Sequence, residues 1–127
     1  MKIKVLFIVA ILAMASLAFA QTKVSRIAVT SEIVDKEPVD SLDSIKSDVE
    51  RIFCFTEIQT DQYPTEISHV WIYEKNIEAE VKLFVGSPKW RTFSSKAISP
   101  EKVGNWIVEV YAQDGKLIDT VDFEVNE

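Results

Sequence analysis

Apolar residues recur along this chain with a period of two, in short stretches that stop at glycine and proline. The pattern is cleanest over 77–85, where Ile77, Ala79, Val81, Leu83 and Val85 alternate with Glu78, Glu80 and Lys82. That period belongs to a pleated strand with one dry side and one wet side. All 3 glycines and all 4 prolines fall at the ends of such stretches: Pro38, Pro64, Gly86 with Pro88, Pro100, Gly104 and Gly115. The stretches between are dominated by Val, Ile, Phe, Tyr and Trp, which suit a sheet. Strands are expected near 24–34, 48–58, 66–73, 77–85, 89–95, 105–112 and 116–125. About seven short strands at this spacing predict an all-β protein, an immunoglobulin-like antiparallel β-sandwich.

Two hairpins follow from local chemistry. Asp114-Gly115 stands between Val108, Val110 and Ala112 on one side and Leu117 and Val121 on the other, a strong short-range hairpin signal. An earlier turn is placed at Lys75-Asn76. Over 35–50 the acids Asp35, Glu37, Asp40, Asp43 and Asp48 interrupt any alternation, while Leu42, Ile45, Val49 and Ile52 fit a helical stripe. A short helical turn around 41–47 is therefore left open.

Residues 1–20 have the layout of an export signal: Lys2 and Lys4, an apolar run from Val5 to Leu17, then Ala18 and Ala20 around Phe19. Cleavage after Ala20 is expected, leaving 21–127 as one domain in the periplasm or outside the cell. Gln21, rather than Cys, follows the cleavage site, so no lipid anchor is expected.

The 127 residues are 47% hydrophobic, 10% aromatic and 27% charged, enough for one domain and unlike disordered or collagenous chains. Lys plus Arg number 14 against 20 acids, a net charge of −6. Removing the leader takes away Lys2 and Lys4 but no acid, so the charge becomes −8. General attraction to nucleic acid or anionic lipid is disfavoured, although a local basic patch can survive such a balance. Cys54 is the lone cysteine, so no internal disulfide can form, and its neighbours Ile52, Phe53 and Phe55 point to a buried thiol.

His69-Val70-Trp71, the block Trp90-Arg91-Thr92-Phe93-Ser94-Ser95-Lys96, the segments Arg26–Ser31 and Glu37–Val39, and the closing Gly104-Asn105-Trp106, Asp114-Gly115 and Phe123-Glu124-Val125 together resemble the bacterial domain of unknown function 2914 family. The Trp90–Lys96 block is the most specific of these. The family tends to have a glycine in the turn after the aromatic strand, where this chain has Lys75-Asn76; Asn tolerates positive φ. The resemblance implies a small module with no established activity.

The candidate binding residues are His69, Trp71, Tyr73, Trp90, Arg91 and Lys96. With an even-numbered loop at Lys75-Asn76, Tyr73 faces Glu78, Trp71 faces Glu80 and His69 faces Lys82, which sets an aromatic strip on the wet face. A three-residue loop reverses this and buries Trp71, as a core Trp on the third strand of such sandwiches is often buried. Along 89–96, Trp90, Thr92, Ser94 and Lys96 point one way and Arg91, Phe93 and Ser95 the other. Arg91 suits a carboxylate ligand or an internal acid, the internal pair being favoured.

Catalysis would need the single His69 to meet Ser68, Ser94 or Ser95 with an orienting acid. One His and one Cys do not make a transition-metal site. The acids of 35–50 lack the spacing of a calcium loop, and glycines are too few for a phosphate-cradling loop. No cofactor is expected, and no enzyme. The sequence reads as an exported, non-catalytic module recognising an envelope polysaccharide or protein. The alternative is a structural or assembly subunit, a homo- or hetero-oligomer in which the aromatics fill the core.

Overall fold

The computed structural model describes residues 21–127; the export signal expected over 1–20 lies outside them. Extended backbone follows the alternating stretches. The strands are β1 (Thr22–Thr30), β2 (Ile33–Val34), β3 (Glu37–Pro38), β4 (Ser44–Lys46), β5 (Arg51–Thr60), β6 (Thr65–Tyr73), β7 (Asn76–Val85), β8 (Lys89–Ala97), β9 (Gly104–Ala112) and β10 (Leu117–Asn126). Seven are long and match the expected strands, with three short additions between Ile33 and Lys46. A three-stranded sheet, β1-β5-β8, packs on a five-stranded sheet, β4-β10-β9-β6-β7. The fold is the expected immunoglobulin-like β-sandwich.

The segment after β1 departs from expectation. Extended structure ends at Thr30, and 33–38 form a separate tight hairpin, with Asp35 and Lys36 both at positive φ. Asp40 fastens this excursion: its carboxylate accepts the Thr30 hydroxyl at 2.6 Å, the Ser31 hydroxyl at 2.6 Å and the Ser31 N–H at 2.9 Å. The short helix left open around 41–47 does not form. Ser44–Lys46 instead runs parallel to the end of β10, and Ile45 drops into the core. Ile45 satisfies the apolar stripe as an inward strand residue.

The turn between β6 and β7 sits one residue earlier than expected, on Glu74 and Lys75, both at positive φ. Tyr73 pairs with Asn76 and Ile72 with Ile77, after which Glu78 is inserted as a bulge and Trp71 pairs with Ala79. The extra residue shifts every later pair by one. It turns Ile77 out to 70% exposure, against the expected alternation, and brings Glu78 to the Lys102 ammonium.

The inner faces form two apolar clusters. The larger contains Val29, Ile52, Cys54, Trp71, Trp106, Val108, Phe123 and Val125; the smaller contains Ile58, Ile67, Val85 and Val110, with Val24, Leu83 and Trp90 against it. Trp106 and Phe123 stack at 5.9 Å, and Trp71 meets Phe123 edge-on at 6.2 Å. Cys54 is enclosed in the larger cluster, and burial pushes its thiol up to about 12.

Candidate functional site

The Glu78 bulge decides the fate of the aromatic strip. His69 and Trp71 face the interior and are wholly buried, so the wet-face placement is corrected and the buried alternative for Trp71 holds. Tyr73 is half-buried on the same inner side, its hydroxyl donating to the Val103 carbonyl at 2.7 Å. Trp90 packs inward on the smaller cluster and meets Phe84 edge-on at 5.7 Å. Lys96 also turns inward, with its ammonium 5.9 Å from the Trp106 ring centre. The alternation expected along β8 is present: Arg91 lies on the opposite, outer side. The six candidates therefore do not converge on one surface.

Between the two apolar clusters runs a polar seam. Trp71 donates its indole N–H to Ser94 Oγ at 3.1 Å, and Ser94 Oγ lies 2.7 Å from His69 Nδ1. On the other side, His69 Nε2 is 3.1 Å from Thr56 Oγ1, which donates to the Thr92 carbonyl at 3.2 Å. The Thr56 proton being committed there, its oxygen accepts from His69, and Nε2 carries the imidazole proton. Nδ1 is then the acceptor and Ser94 the donor. The protons run one way, from Trp71 through Ser94 and His69 to Thr56, with every group satisfied. Burial lowers the imidazole to about 4, so it is neutral near pH 7. Ser94 is the serine that meets the histidine, but both are enclosed and the far nitrogen is held by a threonine instead of an acid.

The chemically exposed grouping lies on the outer face of β1-β5-β8. A bulge at Ser25 lets two consecutive residues reach Glu57: Ser25 Oγ donates to Oε1 and Arg26 Nη2 to Oε2, each at 2.9 Å. Arg26 also grips both oxygens of Glu37 at 2.9 Å, and Arg91 Nη1 reaches Glu37 Oε2 at 2.9 Å. Two arginines from opposite edges of the sheet thus meet on one carboxylate offered by the short hairpin. Hydrogen bonds from Arg26, then Arg91, hold the Glu37 carboxyl down to about 2. Arg26, followed by Ser25, lowers that of Glu57. The Arg26 guanidinium lies 5.0 Å from the Phe55 ring centre, covering it. Lys23, Arg51 and Lys89 share this face, with Phe93 41% exposed among them.

Sequence reasoning singled out Arg91 and missed Arg26, Glu37 and Glu57. Arg26 and Glu37 do stand in two of the blocks that carried the family resemblance, a weak signal that they belonged to one structure. A groove of about 720 Å³ opens at one pole, lined by Gln62, Pro64, Thr65, Gln113, Asp114 and Lys116 among others. None of the six candidates line it, and part of its polar lining is already engaged, Thr65 donating to Gln113 at 2.6 Å and Lys116 N–H to Asp114 at 3.0 Å. Among the described residues no group of three or more His, Cys, Asp or Glu is placed to hold a metal ion.

Fold and site define a small β-sandwich module with a sealed core and one arginine-rich face. Residues 64–125 match the family described as Protein of unknown function (DUF2914). No curated protein matches the sequence. Among solved structures, the chain is similar to part of beta-glucosidase 3B from Thermotoga neapolitana in complex with alpha-D-glucose, with 13% identity and a TM-score of 0.55, covering 87% of this chain and 16% of that one. Similarity also extends to the beta-glucosidase from Listeria innocua in complex with glucose (10% identity, TM-score 0.47, 87% of this chain and 16% of that one). A third is Bifidobacterium dentium beta-glucuronidase complexed with coumarin-3-O-glucuronide (12%, 0.49, 83% and 17%). The first of these likenesses is one of fold, and this chain spans a small fraction of each of those proteins.

Proposed function

We propose that the chain is an exported, non-catalytic recognition module that binds an acidic cell-envelope polymer through the outer face of β1-β5-β8. The carrying observation is the convergence of Arg26 and Arg91 on Glu37, within a face that also bears Lys23, Arg51 and Lys89. A chain with 20 acids against 14 bases has nonetheless concentrated cations on one side, where the local field favours an anion. Guanidinium forks match the planar carboxylate of a uronate, and Arg91 engages Glu37 through one nitrogen only. Phe93 adds an exposed ring for a sugar face. The enclosure of the Ser94–His69 pair supports binding over hydrolysis.

The test is affinity electrophoresis of the purified protein in gels containing polygalacturonate, with a neutral glucan as control. Retardation by the polyuronate alone, relieved by salt and lost in the Arg26→Ala/Arg91→Ala double variant, is expected. Equal mobility in both gels would overturn the reading.

A further inference from the structure

The outer face of the five-stranded sheet carries the opposite pattern. The strand register sets Ile77, Ile72 and Ile107 in one row across β7, β6 and β9, with Ile77 70% and Ile107 38% exposed. One step along the strands, about 7 Å away, Glu80 and Glu109 flank Val70. On the other side Glu124 stands beside Asn105, and Asp122 extends the isoleucine row on β10. An apolar row lies between acids, with Lys82 a further step along β7 beyond Glu80. On the three-stranded face Phe93 lies between cations: Arg91 is two residues before it on β8, and Arg51 pairs with Ala97 four residues after it.

We infer that the acidic, isoleucine-bearing face docks onto the arginine-bearing face of a second copy of this chain. The inference rests on the reading of the β1-β5-β8 face as a surface for anions, and adds that a neighbouring molecule supplies one. Charge complementarity selects the occupant, and the exposed isoleucines meet the phenylalanine side of the partner. The two patches lie on opposite sides of one sandwich, so the contact is head-to-tail and does not close with two copies. Assemblies grow with concentration instead of stopping at a dimer. The bulge at Glu78 is what makes this face, since it expels Ile77 from the core side and completes the row.

Sedimentation velocity of the purified protein over a wide concentration range at low salt tests this. The weight-average mass is expected to climb continuously, to fall as salt is raised, and to fall when a short oligogalacturonate, too small to carry two copies, competes for the arginines. Ile77→Asp and Ile107→Asp, which leave the arginine face untouched, should weaken assembly by about tenfold or more while polyuronate binding persists. Glu80→Lys should weaken it likewise. A monomer at all concentrations, a closed dimer, or assembly indifferent to the Ile77 and Ile107 variants would each overturn the inference. The recognition reading is scored separately by polyuronate retardation.

Discussion

Ser94 Oγ sits 2.7 Å from His69 Nδ1 inside the sandwich, and the proton between them belongs to the serine. Trp71 occupies a lone pair of that same oxygen. Protonating His69 would set a second N–H against the Ser94 oxygen and release its hydroxyl proton without an acceptor.

This gives a pH dependence of defined sign. Folding lowers the His69 pKa from 6.5 to about 4, so between those values the unfolded chain holds a proton that the folded chain lacks. Stability therefore rises with pH across this window, by up to about 3 kcal/mol, and is flat with respect to His69 above it. Urea denaturation at pH 4.5 and pH 7.5 should show the difference, and His69→Gln should shrink it. Glu37 acts lower, between its ordinary 4.5 and about 2, where acid removes what its ion pairs contribute.

Ser94→Ala leaves the Trp71 N–H and His69 Nδ1 without a partner in a closed interior. Two orphaned buried groups should cost about 2–5 kcal/mol, read as a lower urea midpoint at unchanged slope. Ser95→Ala next door removes only the Arg51 contact at the surface and should cost well under about 1 kcal/mol.

The three tryptophans should separate by burial. Trp71→Ala and Trp106→Ala empty sites with no exposure and should each cost about 3–5 kcal/mol. Trp90 is only partly enclosed, so Trp90→Ala should cost less. Thermal midpoints of the three variants give the ordering.

Cys54 has no exposure and its thiol is pushed up to about 12, so the native protein should resist thiol reagents at pH 8. Labelling should begin only as urea unfolds the chain. Rapid native labelling would show that the β1-β5-β8 sheet opens locally.

The strands were legible because the alternating stretches are rich in β-branched and aromatic residues and most of them meet a Gly or Pro at one end, and the Asp114-Gly115 hairpin because its turn chemistry is local, with Gly115 at positive φ. Facing was not legible wherever a bulge intervened. Glu78 reverses the facing of Trp71, and Ser25 sets Arg26 on Glu57, yet a glutamate or a serine at these places is also what an unbulged alternating strand would carry on its wet side. The helical stripe around Ile45 misled because one inward residue on a three-residue strand serves the core as well as a turn of helix does. Arg91 was recognisable by type. Its partner Glu37, 54 residues away, was fixed only by the hairpin that Asp40 pins down. The blocks that carried the family resemblance have a physical basis: Trp71 and His69 of one meet Ser94 of another, and Lys96 meets Trp106 of a third.

The most direct test of the recognition surface is amide chemical-shift mapping during titration with oligogalacturonate. Shifts are expected to cluster at Arg26, Arg51, Lys89, Arg91 and Phe93 on the three-stranded face, with the polar groove around Gln113 and Asp114 unmoved. Shifts confined to that groove or to the Ile72 row, or none at saturating ligand, would contradict the recognition reading.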